Sequence, residues 1–138
     1  MSTEQQRRFD LLIANEAGYD SVVRSAMAMT SEPSSGVLVL FSAVAEFSFR
    51  PRPSTILVPH MPPGVIACVP ALEEFGVASR LASTLGLPGC FDGTVIELAE
   101  LWLGALAPGE LREVHITASG DDELLREVEQ LKRRFSRS

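Results

Sequence analysis

The stretch that most constrains the fold is Thr55–Val69, which reads TILVPHMPPGVIACV. Two short apolar runs, at 56–58 and 65–69, flank a Pro-His-Met-Pro-Pro-Gly break. Unbroken runs rich in β-branched residues are typical of strands buried on both faces. The break cannot be helical, because Pro62 and Pro63 fix φ and push the residue before each of them out of the α region. The stretch therefore predicts two strands at the centre of a sheet.

A third strand is predicted ahead of this stretch. Val37–Phe41 is an unbroken apolar run, and polar residues then alternate with Phe47 and Phe49, as in a strand with one solvent-facing side. The proline-rich link at 50–54 is short, and short links favour antiparallel neighbours. An antiparallel meander is therefore predicted from three strands, near 37–49, 55–59 and 65–69.

Helical spacing of apolar residues predicts most of the remaining elements. The first helix follows a capping box that begins at Ser2-Thr3, and Asp121-Asp122 caps the last one. Helices are predicted at 4–16, 20–29, 70–85 and 92–106, and a half-exposed fourth strand at 113–118. A last helix is predicted from the apolar residues that recur between Leu124 and Phe135. The order α-α-β-β-β-α-α-β-α predicts an α+β fold, with a mixed, mainly antiparallel sheet of about four strands covered by helices. Residues 1–138 are predicted to form a single globular domain.

Composition narrows the classes of partner and compartment. The net charge of −6 disfavours nucleic acid and anionic membranes as partners. No apolar run reaches the roughly 18 residues that span a bilayer, and the polar start of the chain does not resemble a secretion signal. Lys132 is the single lysine among the cationic residues, a bias that indicates a GC-rich bacterial genome. A cytoplasmic protein with reduced thiols is therefore expected.

Three residues are candidates for acid–base or thiol chemistry. His60 follows a predicted strand in a proline-stiffened loop, where it is the candidate general acid or base. Cys90 precedes the predicted helix at 92, and a helix N-terminus lowers the pKa of a thiol. Cys68 lies inside an apolar run, where burial makes a thiol inert. Each has a plain structural alternative, namely a loop histidine bonded to backbone and two buried thiols.

A second group of residues predicts an apolar site. Phe47, Phe49 and Met61 are candidate ligand-binding residues, since aromatic and methionine side chains line hydrophobic pockets as well as ordinary cores. If Phe47 and Phe49 project beyond the core, a second copy of the chain is the simplest cover, which predicts a homodimer.

No phosphate-binding, serine-hydrolase or metal-ligand motif occurs in the sequence, so neither a cofactor nor a metal is expected. The leading hypothesis is a small binding domain, with a regulatory or accessory role, that contacts a protein or a small ligand. The alternatives are a small enzyme that uses His60 in a pocket at the 58–64 loop, and a carrier of an apolar ligand.

Overall fold

Parallel strands form the centre of the molecule, seen in a computed structural model that describes residues 8–29 and 35–135. The strands are β1 (Arg8–Ala14), β2 (Ser35–Ser42), β3 (Arg52–Pro53), β4 (Ala67–Cys68), β5 (Ala78–Ser83), β6 (Phe91–Asp92) and β7 (Val114–Ser119). The helices are α1 (Tyr19–Met29), α2 (Pro70–Glu74), α3 (Val95–Gly104), α4 (Pro108–Arg112) and α5 (Asp122–Phe135), with a 3₁₀ turn at Glu16–Gly18.

The main sheet has the strand order β6-β5-β2-β1-β7, and every pairing in it is parallel. In the register of the central strands, Leu11 lies beside Leu38 on one side and Ile116 on the other. A separate antiparallel pair joins β3 to β4. The fold is therefore α/β, and the predicted α+β fold with a mainly antiparallel sheet of four strands is wrong.

Strand β1 replaces the helix predicted at 4–16. Leu11 and Ile13 face the core under α3 and α5, while Leu12 and Ala14 face the core under α1. A short apolar run that is buried on both faces fits a helical pattern as well as a strand, so its periodicity could not decide between them. The predicted capping residues Ser2 and Thr3 lie outside the described residues.

The helix predicted at 70–85 is also wrong beyond its first turn. Helix α2 ends at Glu74, and Gly76 adopts a φ of 84°, a left-handed conformation that glycine tolerates without strain. The chain then enters β5, whose buried residues face both sides of the sheet. Strand β5 pairs with β2, so the apolar residues from 78 onward belong to the sheet and not to a helix face.

Residues 55–69 are not the centre of the sheet. Only Ala67–Cys68 is a strand, paired antiparallel with Arg52–Pro53, and no strand forms at the predicted position 55–59. Only part of each run is buried against the main sheet. Val58 and Val65 pack in the core that includes α3 and α5, whereas Leu57 is 87% and Ile66 49% exposed. A segment that covers a sheet can have the same apolar composition as a strand inside it. This is why residues 55–69 were wrongly predicted to be central strands.

Strand β2 ends at Ser42, so its predicted extension to residue 49 is wrong. Phe47 and Phe49 are half-buried and fold back onto the sheet, with ring centroids 5.2 Å from each other. Tyr19 and Phe41 complete this aromatic cluster. Because their own chain covers the two rings, they no longer provide a reason for a homodimer.

The amphipathic elements with one solvent-facing side were predicted correctly, namely α1, α3, α5 and β7. Helix α3 has a complete capping box, in which the Glu97 amide donates to Thr94 Oγ1 at 3.1 Å and the Thr94 amide donates to Glu97 Oε1 at 2.9 Å. At the start of α5, Asp121 Oδ1 accepts from the Leu124 amide at 2.9 Å. Helices α3 and α5 cover one face of the sheet, and α1 and α2 cover the other.

Candidate functional site

A cavity of about 560 Å³ lies at the amino ends of β1, β2, β5 and β7. Residues 56–60 cover it, and we call this segment the roof. Most of the lining is apolar, and its larger members include Phe9, Val37, Val58, Val77, Trp102 and Leu106. This volume is within the range of about 300–1,000 Å³ that is usual for small-molecule sites.

Arg80 anchors the roof from below. It projects from β5, is 5% exposed, and donates from Nη2 to the Ile56 carbonyl at 2.7 Å and from Nε to the Val65 carbonyl at 3.2 Å. A third bond runs from Nη1 to the carbonyl of Ser79 at 2.7 Å. The guanidinium thus supplies the hydrogen bonds that water would otherwise give to three carbonyl groups. It holds the segment that contains the roof at both ends, at residues 56 and 65.

Glu73 anchors the chain just before the roof. Its Oε1 accepts from Ser54 Oγ at 2.8 Å, and its Oε2 accepts from the Thr55 amide at 2.7 Å and from Thr55 Oγ1 at 3.0 Å. Burial alone raises the pKa of this carboxyl, but the hydrogen bonds from Thr55, Ser54 and Cys68 together outweigh burial and lower it. Glu73 is therefore held as a carboxylate that orders residues 54 and 55.

Trp102 forms the wall between the roof and the sheet. Its Nε1–H donates to the Pro59 carbonyl at 3.0 Å, and its ring lies 5.4 Å from the ring of Phe9. Because the indole N–H is already bonded, the indole presents apolar surface to the cavity. Trp102 is also the only tryptophan in the sequence, so its fluorescence reports on this cavity alone.

His60 lies in the roof at the cavity mouth, with a φ of 72° that is uncommon for a residue with a side chain. Its Nε2 is 3.7 Å from Glu110 Oε1, which also accepts from the Ala107 amide at 2.8 Å. A separation of 3.7 Å is longer than the hydrogen bond that orients a catalytic histidine. The structure thus places His60 at the mouth of the cavity, beside a carboxylate.

The two cysteines lie away from the cavity. Cys68 is buried in β4, where burial and the neighbouring Glu73 carboxylate raise its pKa to about 11. Cys90 is half-buried and precedes the short strand β6, not a helix, and burial raises its pKa. The helix N-terminus that was expected to activate Cys90 is therefore missing, since α3 begins only at Val95.

The three predicted apolar site residues do not line the cavity. Phe47 and Phe49 pack with Tyr19 and Phe41 against the face covered by α1. Met61 follows the roof and packs against the core beneath α3. The structure thus brings none of the three together with His60 in the cavity lining.

A smaller crevice of about 230 Å³ lies at the opposite, carboxyl ends of the strands. Parallel α/β sheets often bind ligands at the carboxyl ends of the strands, at the point where the strand order changes direction. Here that point is beside β1, because β2, β5 and β6 follow on one side of it and β7 lies on the other. Several polar groups in the crevice already serve the backbone: Ser83 Oγ accepts from the Leu85 amide at 3.0 Å, and Thr94 and Asp121 cap helices. The buried Asn15 Oδ1 has no hydrogen-bond partner within residues 8–29 and 35–135. The crevice is less than half as large as the cavity at the amino ends.

Comparisons of this chain with protein-family models, with curated proteins and with solved structures gave no match. Within the part of the chain that the structure describes, no helix is long and apolar enough to cross a membrane. The same part contains no group of three or more His, Cys, Asp or Glu side chains placed to hold a metal ion. The geometry of the cavity is thus the main basis for a functional assignment.

Sequence reasoning missed Trp102, Arg80 and Glu110 as residues of this region. Trp102 meets Pro59 across 43 positions of the chain, and Arg80 meets Ile56 across 24 positions. A usable signal was present at Arg80, which is the only charged residue in the apolar run 77–82. A charge in such a run needs buried partners, which here are the carbonyl groups of the covering segment.

Proposed function

We propose that this chain is a small-molecule-binding domain whose ligand is an apolar molecule in the cavity beneath residues 56–60. The observation that carries the proposal is an apolar cavity of about 560 Å³ that opens beside His60 and Glu110. Arg80 and Glu73 hold the covering segment in place, so the site exists before the ligand binds. A preformed site avoids much of the entropy cost of ordering a loop on binding.

Binding is better supported than catalysis. The described lining residues include no serine, threonine, cysteine, tyrosine or lysine to act as a nucleophile beside His60. His60 and Glu110 are also too far apart for the hydrogen bond that would orient the imidazole. The predicted enzyme with His60 as acid or base remains the alternative, and the predicted regulatory role, homodimer and bacterial cytoplasmic location stay predictions.

Fluorescence of Trp102 tests the proposal directly. We expect titration with octanol, a neutral apolar probe, to shift the emission of Trp102 and to saturate. Ala78→Leu, at the cavity floor, is expected to fill the site and abolish the response, while Ala71→Leu, exposed on α2, leaves it intact. An emission that does not respond to octanol, or a response that Ala78→Leu fails to reduce, contradicts the proposal.

A further inference from the structure

The charged groups around the cavity mouth are mainly of one sign. Glu110 and Glu113 are exposed on and just after α4, and both line the cavity. His60 is the only other titratable side chain among the described lining residues, which include no lysine or arginine. Among the described lining residues, a ligand that enters the cavity therefore meets two carboxylates and no lysine or arginine side chain.

The end of helix α3 adds to this negative field. Trp102 and Leu106 lie in and just after its last turn, and both line the cavity. The carbonyl groups of a helix C-terminus carry a partial negative charge that favours cations nearby. The aromatic face of Trp102 also attracts cations through its quadrupole. Three independent features thus favour a positive group at the same end of the cavity.

We propose that the ligand of this cavity carries a protonated amine, held near Glu110 and Glu113, and places its apolar body against Trp102. This inference rests on the proposed function, because it names the chemical class of the molecule that the cavity binds. A carboxylate such as a fatty acid would place its charge beside two like charges, which opposes binding. The net charge of −6 also favours the approach of a cation over that of an anion.

A matched series of probes separates the head group from the apolar body. Octylamine, octanol and octanoate share one chain length and differ in charge, and each is titrated at pH 8 below the concentration at which it forms micelles. Trp102 fluorescence gives the three affinities. We expect octylamine to bind roughly tenfold more tightly than octanol, and octanoate to bind more weakly than octanol.

The double variant Glu110→Gln with Glu113→Gln identifies the carboxylates responsible. It is expected to remove the preference for octylamine over octanol, so that the two probes bind with similar affinity. Glutamine at position 110 keeps the oxygen that accepts from the Ala107 amide, so the cap of α4 is preserved. The control Glu123→Gln with Glu127→Gln removes the same charge from exposed positions on α5, and we expect it to retain the preference for the amine.

The possible outcomes distinguish this inference from the proposed function. If octanol binds but octylamine binds no better, the amine inference is overturned and the proposed function stands. If the double variant at 110 and 113 keeps the preference, or the control on α5 loses it, the assignment of the amine to the cavity mouth is wrong. If none of the three probes changes the emission of Trp102, both proposals fail.

Discussion

The indole N–H of Trp102 donates to the carbonyl oxygen of Pro59 at 3.0 Å, and this bond joins helix α3 to the roof of the cavity. Trp102 is 4% exposed, whereas the hydrogen bond itself is only partly buried. Pro59 itself is exposed, which means that its carbonyl can bond to water when the indole is removed. The bond therefore positions the roof more than it satisfies a buried group.

Trp102→Phe is expected to lower the free energy of unfolding by about 1 kcal/mol, because it removes this hydrogen bond and keeps an aromatic ring against Phe9. Urea denaturation followed by circular dichroism measures the change. Leu101→Ala, at the neighbouring exposed position, is the control and is expected to change stability by less than about 0.5 kcal/mol. Equal effects of the two substitutions would show that the bond to Pro59 contributes nothing.

Arg80→Met is expected to destabilise the fold by on the order of 3 kcal/mol, since it leaves the carbonyls of Ile56, Val65 and Ser79 without their donors. The stability of Arg80→Lys should lie between that of the natural chain and that of Arg80→Met, because a compact ammonium cannot reach carbonyls on both sides. Chemical denaturation and limited proteolysis at 54–66 check this. Arg126→Met removes the same charge from exposed α5, and a similar loss there would argue against an anchoring role for Arg80.

Glu73→Gln is expected to destabilise the protein above about pH 5 and to have progressively less effect as the pH falls. The pKa of Glu73 is lower in the folded chain, so the carboxylate stabilises the fold fully above its unfolded pKa of about 4.3. This stabilisation is lost as the pH falls through the lower, folded pKa. Denaturation curves at pH 7 and pH 3 measure the difference in the free energy of unfolding between the variant and the natural chain.

The adjacent Glu74 gives the control for this pH dependence. Its side chain is exposed and forms a surface ion pair with Arg52 at 3.5 Å, so Glu74→Gln is expected to cost less than about 0.5 kcal/mol at either pH. If Glu73→Gln loses as much unfolding free energy at pH 3 as at pH 7, the hydrogen bonds of Glu73 do not depend on its carboxylate form, and the assignment is contradicted.

Cys90 is expected to react with iodoacetamide before Cys68 does in the folded protein at pH 8. Cys68 is buried and has a pKa of about 11, so almost none of it is thiolate, whereas Cys90 is half-buried. Peptide mapping by mass spectrometry assigns the modified residue. In Cys90→Ser the folded chain should remain nearly unlabelled, and labelling of Cys68 at the rate seen in denaturant would show that it is accessible.

Whether an element can be recognised from the sequence depends on how its residues are buried. Val114, Ile116 and Ala118 alternate with solvent-facing residues, and this pattern has one interpretation, which the structure confirms as β7. Strand β1 is buried on both faces, so its apolar run carries no alternation. Strand β5 buries the polar residues Ser79, Arg80 and Ser83, and its pairing with β2 is what identifies it as a strand. A parallel sheet also needs long connections, and these hide which strands are neighbours.

The candidate site was predictable only where it is local in sequence. The proline-stiffened loop around His60 was expected to carry functional groups, and the structure places that residue at the mouth of a cavity. The partners of the loop come from residues far along the chain, among them Trp102 and Glu110. No periodicity relates such positions to each other, because their contact depends on the complete path of the chain.

Gly18 provides a test of the fold itself, because it lies where the turn after β1 meets the end of β7. A Cβ atom at this position would collide with the carbonyl oxygen of Ser119 and lie 2.7 Å from the amide nitrogen of Gly120. Both are backbone atoms that cannot rotate away. Gly18→Ala is therefore expected to lower the free energy of unfolding by about 2–3 kcal/mol.

The same substitution at Gly104 is the matched control for this close approach. Gly104 is the last residue of α3, and a Cβ atom there would meet nothing within 4 Å. Alanine also favours a helix over glycine, so Gly104→Ala should raise stability by up to about 1 kcal/mol. Urea denaturation of both variants measures the contrast. If Gly18→Ala proves as well tolerated as Gly104→Ala, the turn after β1 cannot lie against β7, and the parallel pairing of β1 with β7 would be wrong.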